Sequence, residues 1–88
     1  MAYRVHVKPS AADAIRKLPK TQQRRVIAKA EALAETPRPP GCRKVLGADE
    51  LYRVRVGEYR IVYAVGDQDL IILVVRVGHR REVYRVGS

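Results

Sequence analysis

Arg53, Arg55 and Arg60 flank the pair Gly57-Glu58 in a stretch where apolar and polar residues alternate. Glycine at the first central position suits a two-residue hairpin turn, because it reaches positive φ without a steric penalty. Such a turn sets Val56 across from Tyr59, and Arg55 directly across from Arg60. A strand repeats its facing every second residue, so Arg53 joins the other two on one face, while Tyr52, Val54, Val56, Tyr59, Ile61 and Tyr63 point to the opposite one. Like charges placed opposite each other destabilise a sheet by roughly 0.2 to 1 kcal/mol. Two readings answer that cost: the guanidinium groups splay into water or meet a carboxylate such as Glu58 or Glu82, or an anion lies between them.

Downstream, Gly78 is followed by His79, Arg80, Arg81, Glu82, Val83 and Tyr84. If a third strand runs back antiparallel to the second, its end returns to the level of the Gly57 turn. A histidine, further arginines and a phenol then reach the same edge of the sheet, which adds acid-base capacity to positive charge. Taken singly, His79 reads as a loop histidine, and Tyr84 as a ring capping the core with its hydroxyl wet. His6 reads as a solvent-facing strand residue, and Asp67 and Asp69 as turn formers. No phosphate-binding glycine loop, metal-ligand cluster or nucleophile motif occurs, so neither a cofactor nor a metal is expected.

Eighteen Lys and Arg against nine Asp and Glu leave a net charge of +9 on 88 residues. That balance favours a polyanionic partner, nucleic acid before an acidic protein. Thirteen of the cations are Arg, whose planar fork suits two-pronged contact with phosphate. The length allows one domain over 1–88 with a thin core. Cys42 is the single cysteine, which rules out an intrachain disulfide and reads as a spectator thiol. The longest aliphatic run, 70–75, is too short for a membrane span, and the charged start reads as no secretion signal, so the expected compartment is the cytoplasm.

The elements that must carry these residues follow from periodicity. Residues 3–8 alternate as a strand that Pro9 ends. Ser10 with Asp13 resembles a helix start, followed by Ala11, Ala14, Ile15 and Leu18 at helical spacing. Pro19 interrupts, and from Lys20 a second helix carries Val26, Ile27, Ala30, Leu33 and Ala34 as its apolar stripe, making a helical hairpin. Pro37, Pro39, Pro40 and Gly41 form a stiff exposed connector. Three strands follow at 51–56, 59–65 and 70–77, the last apolar on both faces up to Arg76 and so expected to be the most buried. The fold class is α+β: an N-terminal strand, two helices, then a three-stranded antiparallel meander that joins the first strand in one sheet.

The segments YRVRVGEYRIVY at 52–63 and RVGHRREVY at 76–84 resemble the RelE toxins of the RelE/ParE superfamily of type II toxin–antitoxin systems. The resemblance extends over nearly the whole chain, including the break at Leu18-Pro19, the proline-rich connector and the Val45-Leu46-Gly47 step. It implies the same architecture, cleavage of messenger RNA on the ribosome, and a cognate antitoxin, RelB-like or of another family. It implies further that Arg53, Arg55, Arg60, Arg80 and Tyr84 occupy active-site positions, with His79 and Arg81 flanking them. Where the best-known members carry lysine, this chain has Arg53 and Arg55. Arginine keeps its proton and is a poor general base, so a lysine's part in proton transfer does not carry over.

The implied reaction is attack of a ribose 2′-OH on the adjacent phosphorus, without a metal. Arg60 and Arg80 would stabilise the transition state, Arg53, Arg55 and Arg81 would bind RNA phosphates, and Tyr84 or His79 would move protons. Three other readings stand beside it. A ParE-like toxin would poison DNA gyrase; a non-catalytic RNA-binding module would bind without turnover; an inactive relative would serve only to bind the antitoxin.

Overall fold

The computed structural model describes residues 2–45, 47 and 50–79. Five strands and two helices follow in the order β1 (Arg4–Val7), α1 (Pro9–Arg16), α2 (Lys20–Ala32), β2 (Arg43–Lys44), β3 (Leu51–Val56), β4 (Tyr59–Gly66) and β5 (Ile71–His79). They build one sheet in the order β1-β5-β4-β3-β2. The three long strands form the expected antiparallel meander, and β1 lies parallel to β5 at one edge. The two-residue β2 closes the other edge, antiparallel to β3. It was not expected from the sequence, because two residues are too few to show an alternation.

Both helices lie on one face of the sheet, α1 against β5 and α2 against β3 and β4. That face carries Val54, Val56, Ile61, Tyr63, Val65, Ile72, Val74 and Val77, packed with Ala11, Ile15, Val26, Ala30 and Leu33 from the helices. The helical stripe is narrower than its sequence suggests. Val26, Ala30 and Leu33 are buried, whereas Ile27 is 43% exposed. One helix turned toward a flat sheet shelters only the i, i+4 and i+7 positions, and Ile27 falls about 100° away from Val26.

The start of α1 also departs from expectation. Its N-cap is Lys8 and Pro9 occupies the first turn, with no capping bond from Ser10 or any other side chain. Pro9 ends the strand and opens the helix in one step, since its fixed φ fits the first helical position and its missing N–H would have had no partner there. Asp13 instead pairs with Arg16 one turn on.

Leu70 sits at φ 55° and belongs to the turn, so β5 starts one residue later than expected and runs on to His79. Within β5 the register shifts: Val62 faces Arg76 but Tyr63 faces Val74, which leaves Val75 as an extra, bulged residue. A one-residue shift exchanges the faces of everything beyond it. Ile72 and Val74 point to the helices before the bulge, and Val77 does so after it, so Arg76 emerges on the open face.

Candidate functional site

The open face of the sheet holds the arginines. Arg55 faces Arg60 and Val56 faces Tyr59, the register expected from a Gly57-Glu58 turn. Gly57 takes φ 58°, and its carbonyl accepts a hydrogen bond from Arg55 Nε at 3.0 Å, which draws that guanidinium toward the turn. On the helix side of the turn Arg25 approaches Gly57 so closely that an added Cβ would lie 3.2 Å from its Nη1. The backbone angle favours glycine here, and an added Cβ would also make the Arg25 guanidinium shift slightly.

A cleft of about 270 Å³ opens on this face, lined by Gly41, Arg43, Arg53, Val54, Arg55 and Arg60. Arg53 Nη1 and Arg60 Nε are shielded from solvent, while Arg43 and Arg55 are exposed. Among the described residues its lining holds no Asp or Glu. Four arginines around one concavity, two with a nitrogen atom out of water, concentrate positive charge there, and charge acts over a longer range where water is excluded. The sheet therefore brings Arg53, Arg55 and Arg60 together as the sequence indicated.

Two arginines on this face were missed. Arg43 faces Arg53 across β2 and β3, and its only sequence signal was its place just after the Pro-Pro-Gly connector. Arg76 stands opposite Val62, in the same row across the sheet as Arg53 and Arg43. Only the bulge at Val75 puts it there.

His79 does reach the level of the Gly57 turn, but not the arginine face. It pairs with Tyr59 across β4 and β5, and the two rings meet edge to face with centroids 5.9 Å apart. Its Nε2 lies 3.9 Å from a Glu58 carboxylate oxygen. The bulge is again the cause, since it turns Val77 and His79 together toward the helix side. Arg80, Arg81 and Tyr84 lie outside the described residues. His6 is exposed on β1, as expected.

The rim of the cleft is fixed by a second set of side chains. The connector that ends at Gly41 is held to the sheet by the buried Tyr63, whose hydroxyl donates to the Pro37 carbonyl at 2.7 Å. Burial pushes the Tyr63 phenol well above its ordinary range. Arg38 donates two hydrogen bonds to Asp67, at 2.8 and 3.2 Å, and one to the Tyr52 hydroxyl, and its guanidinium lies 5.1 Å from the Tyr52 ring centre. Tyr3 adds a hydrogen bond to the same carboxylate at 2.8 Å. The Arg38 guanidinium, helped by Tyr3, holds the Asp67 carboxyl below the usual carboxylate range, and donation to Asp67 raises the Tyr3 phenol. Asp67 is a turn residue, as read from the sequence, and also an anchor for the connector. Among the described residues no helix is long and apolar enough to cross a membrane.

Comparison with known proteins bears on the family and the fold. The model of the ParE toxin family of type II toxin–antitoxin systems, parDE, matches residues 5–84. A RelE-like toxin protein of Escherichia coli is 34% identical over 92 residues, which take in 100% of this chain and 96% of the relative. RelE in the archaeal RelE–RelB complex of Pyrococcus horikoshii superposes with a TM-score of 0.80 at 32% identity, covering 91% of this chain and 97% of that one. The isolated RelE toxin of E. coli gives 0.78 at 30% identity, covering 97% and 94%. The chain belongs to the RelE/ParE family, the toxins of type II toxin–antitoxin systems.

Proposed function

We propose that this toxin is a messenger RNA endonuclease that acts on the ribosome, in the cytoplasm, and inhibits translation. The observation that carries the reading is the facing pair Arg55 and Arg60, with Arg53 beside them, around an open cleft whose described lining has no acidic residue. In the reaction the 2′-oxygen of a ribose attacks the adjacent phosphorus and loses its proton to a base. The bond from phosphorus to the 5′-oxygen breaks, and that oxygen takes up a proton, leaving a 2′,3′-cyclic phosphate and a free 5′-OH. Negative charge gathers on the phosphoryl oxygens as the fifth bond forms, so Arg60 and Arg80 stabilise the transition state more than the ground state. Arg53, Arg55 and Arg81 bind the RNA phosphates. Arginines do not exchange protons at neutral pH, so a separate group must. Of the two candidates, Tyr84 and His79, the former is favoured, because His79 meets the Tyr59 ring edge to face on the far side of the sheet.

The test is induced expression with mapping of new 5′ ends on cellular messages. Arg60→Ala and Arg80→Ala each lower cleavage by about 10² to 10³ if they act as oxyanion-type stabilisers. Parental cleavage by both variants refutes the site. Tyr84→Phe keeps the ring and removes only the hydroxyl, which tests proton transfer by itself.

A cognate antitoxin follows from the same family membership, and the P. horikoshii relative was solved as a RelE–RelB complex. Charge complementarity favours an acid-rich amphipathic segment laid across the arginine face. The matching family model is named for ParE toxins, which keeps gyrase poisoning as the second reading. Halted growth with DNA-damage signalling and intact messages selects that alternative.

A further inference from the structure

The four guanidinium groups of the cleft fall into two facing pairs. Arg55 opposes Arg60 across β3 and β4, and Arg43 opposes Arg53 across β2 and β3. Arg53 and Arg55 are two residues apart on one strand, so the pairs are offset along the sheet by roughly 7 Å. Arg55 increases the separation, since its Nε is bonded to the Gly57 carbonyl on the turn side, away from Arg53. An offset of that size matches one nucleotide step of an extended single strand.

Each pair sets like charges against each other, which a sheet tolerates only at a local cost. Arg43 is exposed on a two-residue edge strand, and among the described residues it takes part in no ion pair or side-chain hydrogen bond. It contributes nothing visible to the core, yet its side chain lines the same concavity as the other three. We infer that Arg43 and Arg53 form a second phosphate clamp, which holds the phosphate next to the one bound by Arg55 and Arg60. The ligand class is a contiguous single strand carrying at least two successive phosphates. The inference rests on the endonuclease reading for the identity of that polymer, and it adds Arg43 to the residues that bind it.

The clamp can be tested with probes that cannot be cut. A 2′-O-methyl dinucleotide carries one phosphodiester and the corresponding trinucleotide carries two, and neither offers a 2′-OH for attack. Each is titrated into the full chain by NMR at several KCl concentrations. For the parent protein, the slope of log K against log[salt] is steeper for the trinucleotide by about 0.7, the share of one single-strand phosphate. Arg43→Ala removes that increment and weakens trinucleotide binding by roughly fivefold, while dinucleotide binding changes by no more than about twofold. Arg43→Lys restores the slope, because the increment reports charge. Equal weakening of both probes by Arg43→Ala, or no change in either, overturns the clamp. If the slopes behave as expected but messages remain uncut, the clamp stands and the nuclease reading falls.

Discussion

Tyr63→Phe tests how the sheet holds the connector that ends at the cleft. The Tyr63 ring is fully buried and stacked on Tyr52 with centroids 5.9 Å apart, and its hydroxyl donates to Pro37 at 2.7 Å. Phenylalanine keeps the ring and its packing, so the change isolates one hydrogen bond. A buried bond of this kind contributes about 0.5 to 1.5 kcal/mol net, and an acceptor stripped of its donor adds a further penalty. Pro37 is half-buried, and water recovers part of that penalty. The expected loss is about 1 to 2 kcal/mol. With an unfolding entropy of about 2.1 cal/mol/K per residue, a chain of this length loses roughly 5 to 11 °C in Tm. Urea and thermal unfolding followed by far-UV circular dichroism measure it directly. Burial raises the folded-state phenol, so its contribution is complete below the unfolded value near 10 and is lost as pH climbs beyond that. The Phe variant should therefore lack this part of the alkaline decline. Coincident urea midpoints for parent and variant at pH 7 would refute the assignment of the Pro37 bond as the connector's anchor.

Two further outcomes follow from the rim and the turn. Gly57→Ala forces a Cβ into positive φ and against Arg25, and should destabilise the chain by about 1 to 2 kcal/mol, with Gly57→Asn less harmful because asparagine tolerates that region; equal midpoints for parent and Ala variant in urea would contradict the turn geometry. Because Arg38 and Tyr3 depress the Asp67 carboxyl, its contribution is present above the unfolded value near 4 and disappears as pH falls through the lower folded one. Asp67→Asn should thus be less stable at neutral pH and show a flatter acid limb, and a pair of parallel stability–pH curves would show the Arg38–Asp67–Tyr3 cluster to be inert.

Much of the site was legible because local chemistry fixed it. Gly57-Glu58 allows one tight turn, that turn dictates the register, and strand alternation then places Arg53, Arg55 and Arg60 together. The core face was legible for the same reason. Features set by tertiary structure were not. The bulge at Val75 has no signature in a run where Leu73, Val74 and Val75 are all apolar, yet it decides that Arg76 joins the arginine face and His79 leaves it. Ile27 looks like a core residue in any helical projection, and only the direction from which the sheet approaches α2 shows that it is not. Arg43 depended on a two-residue strand whose pairing is created by its partner β3.

The bulge also divides the labour between the two faces of the sheet. On the helix side lie the apolar cluster, Tyr63 with its connector bond, and His79 against Tyr59. On the other side lie five arginines, and the large apolar residue Val62 sits among them with 8% exposure. The apolar cluster is thus gathered mainly on one surface, and the other carries most of the sheet's arginines. Under the proposed endonuclease reading, that face would meet an anionic chain, and the apolar packing on the helix side carries the fold without it.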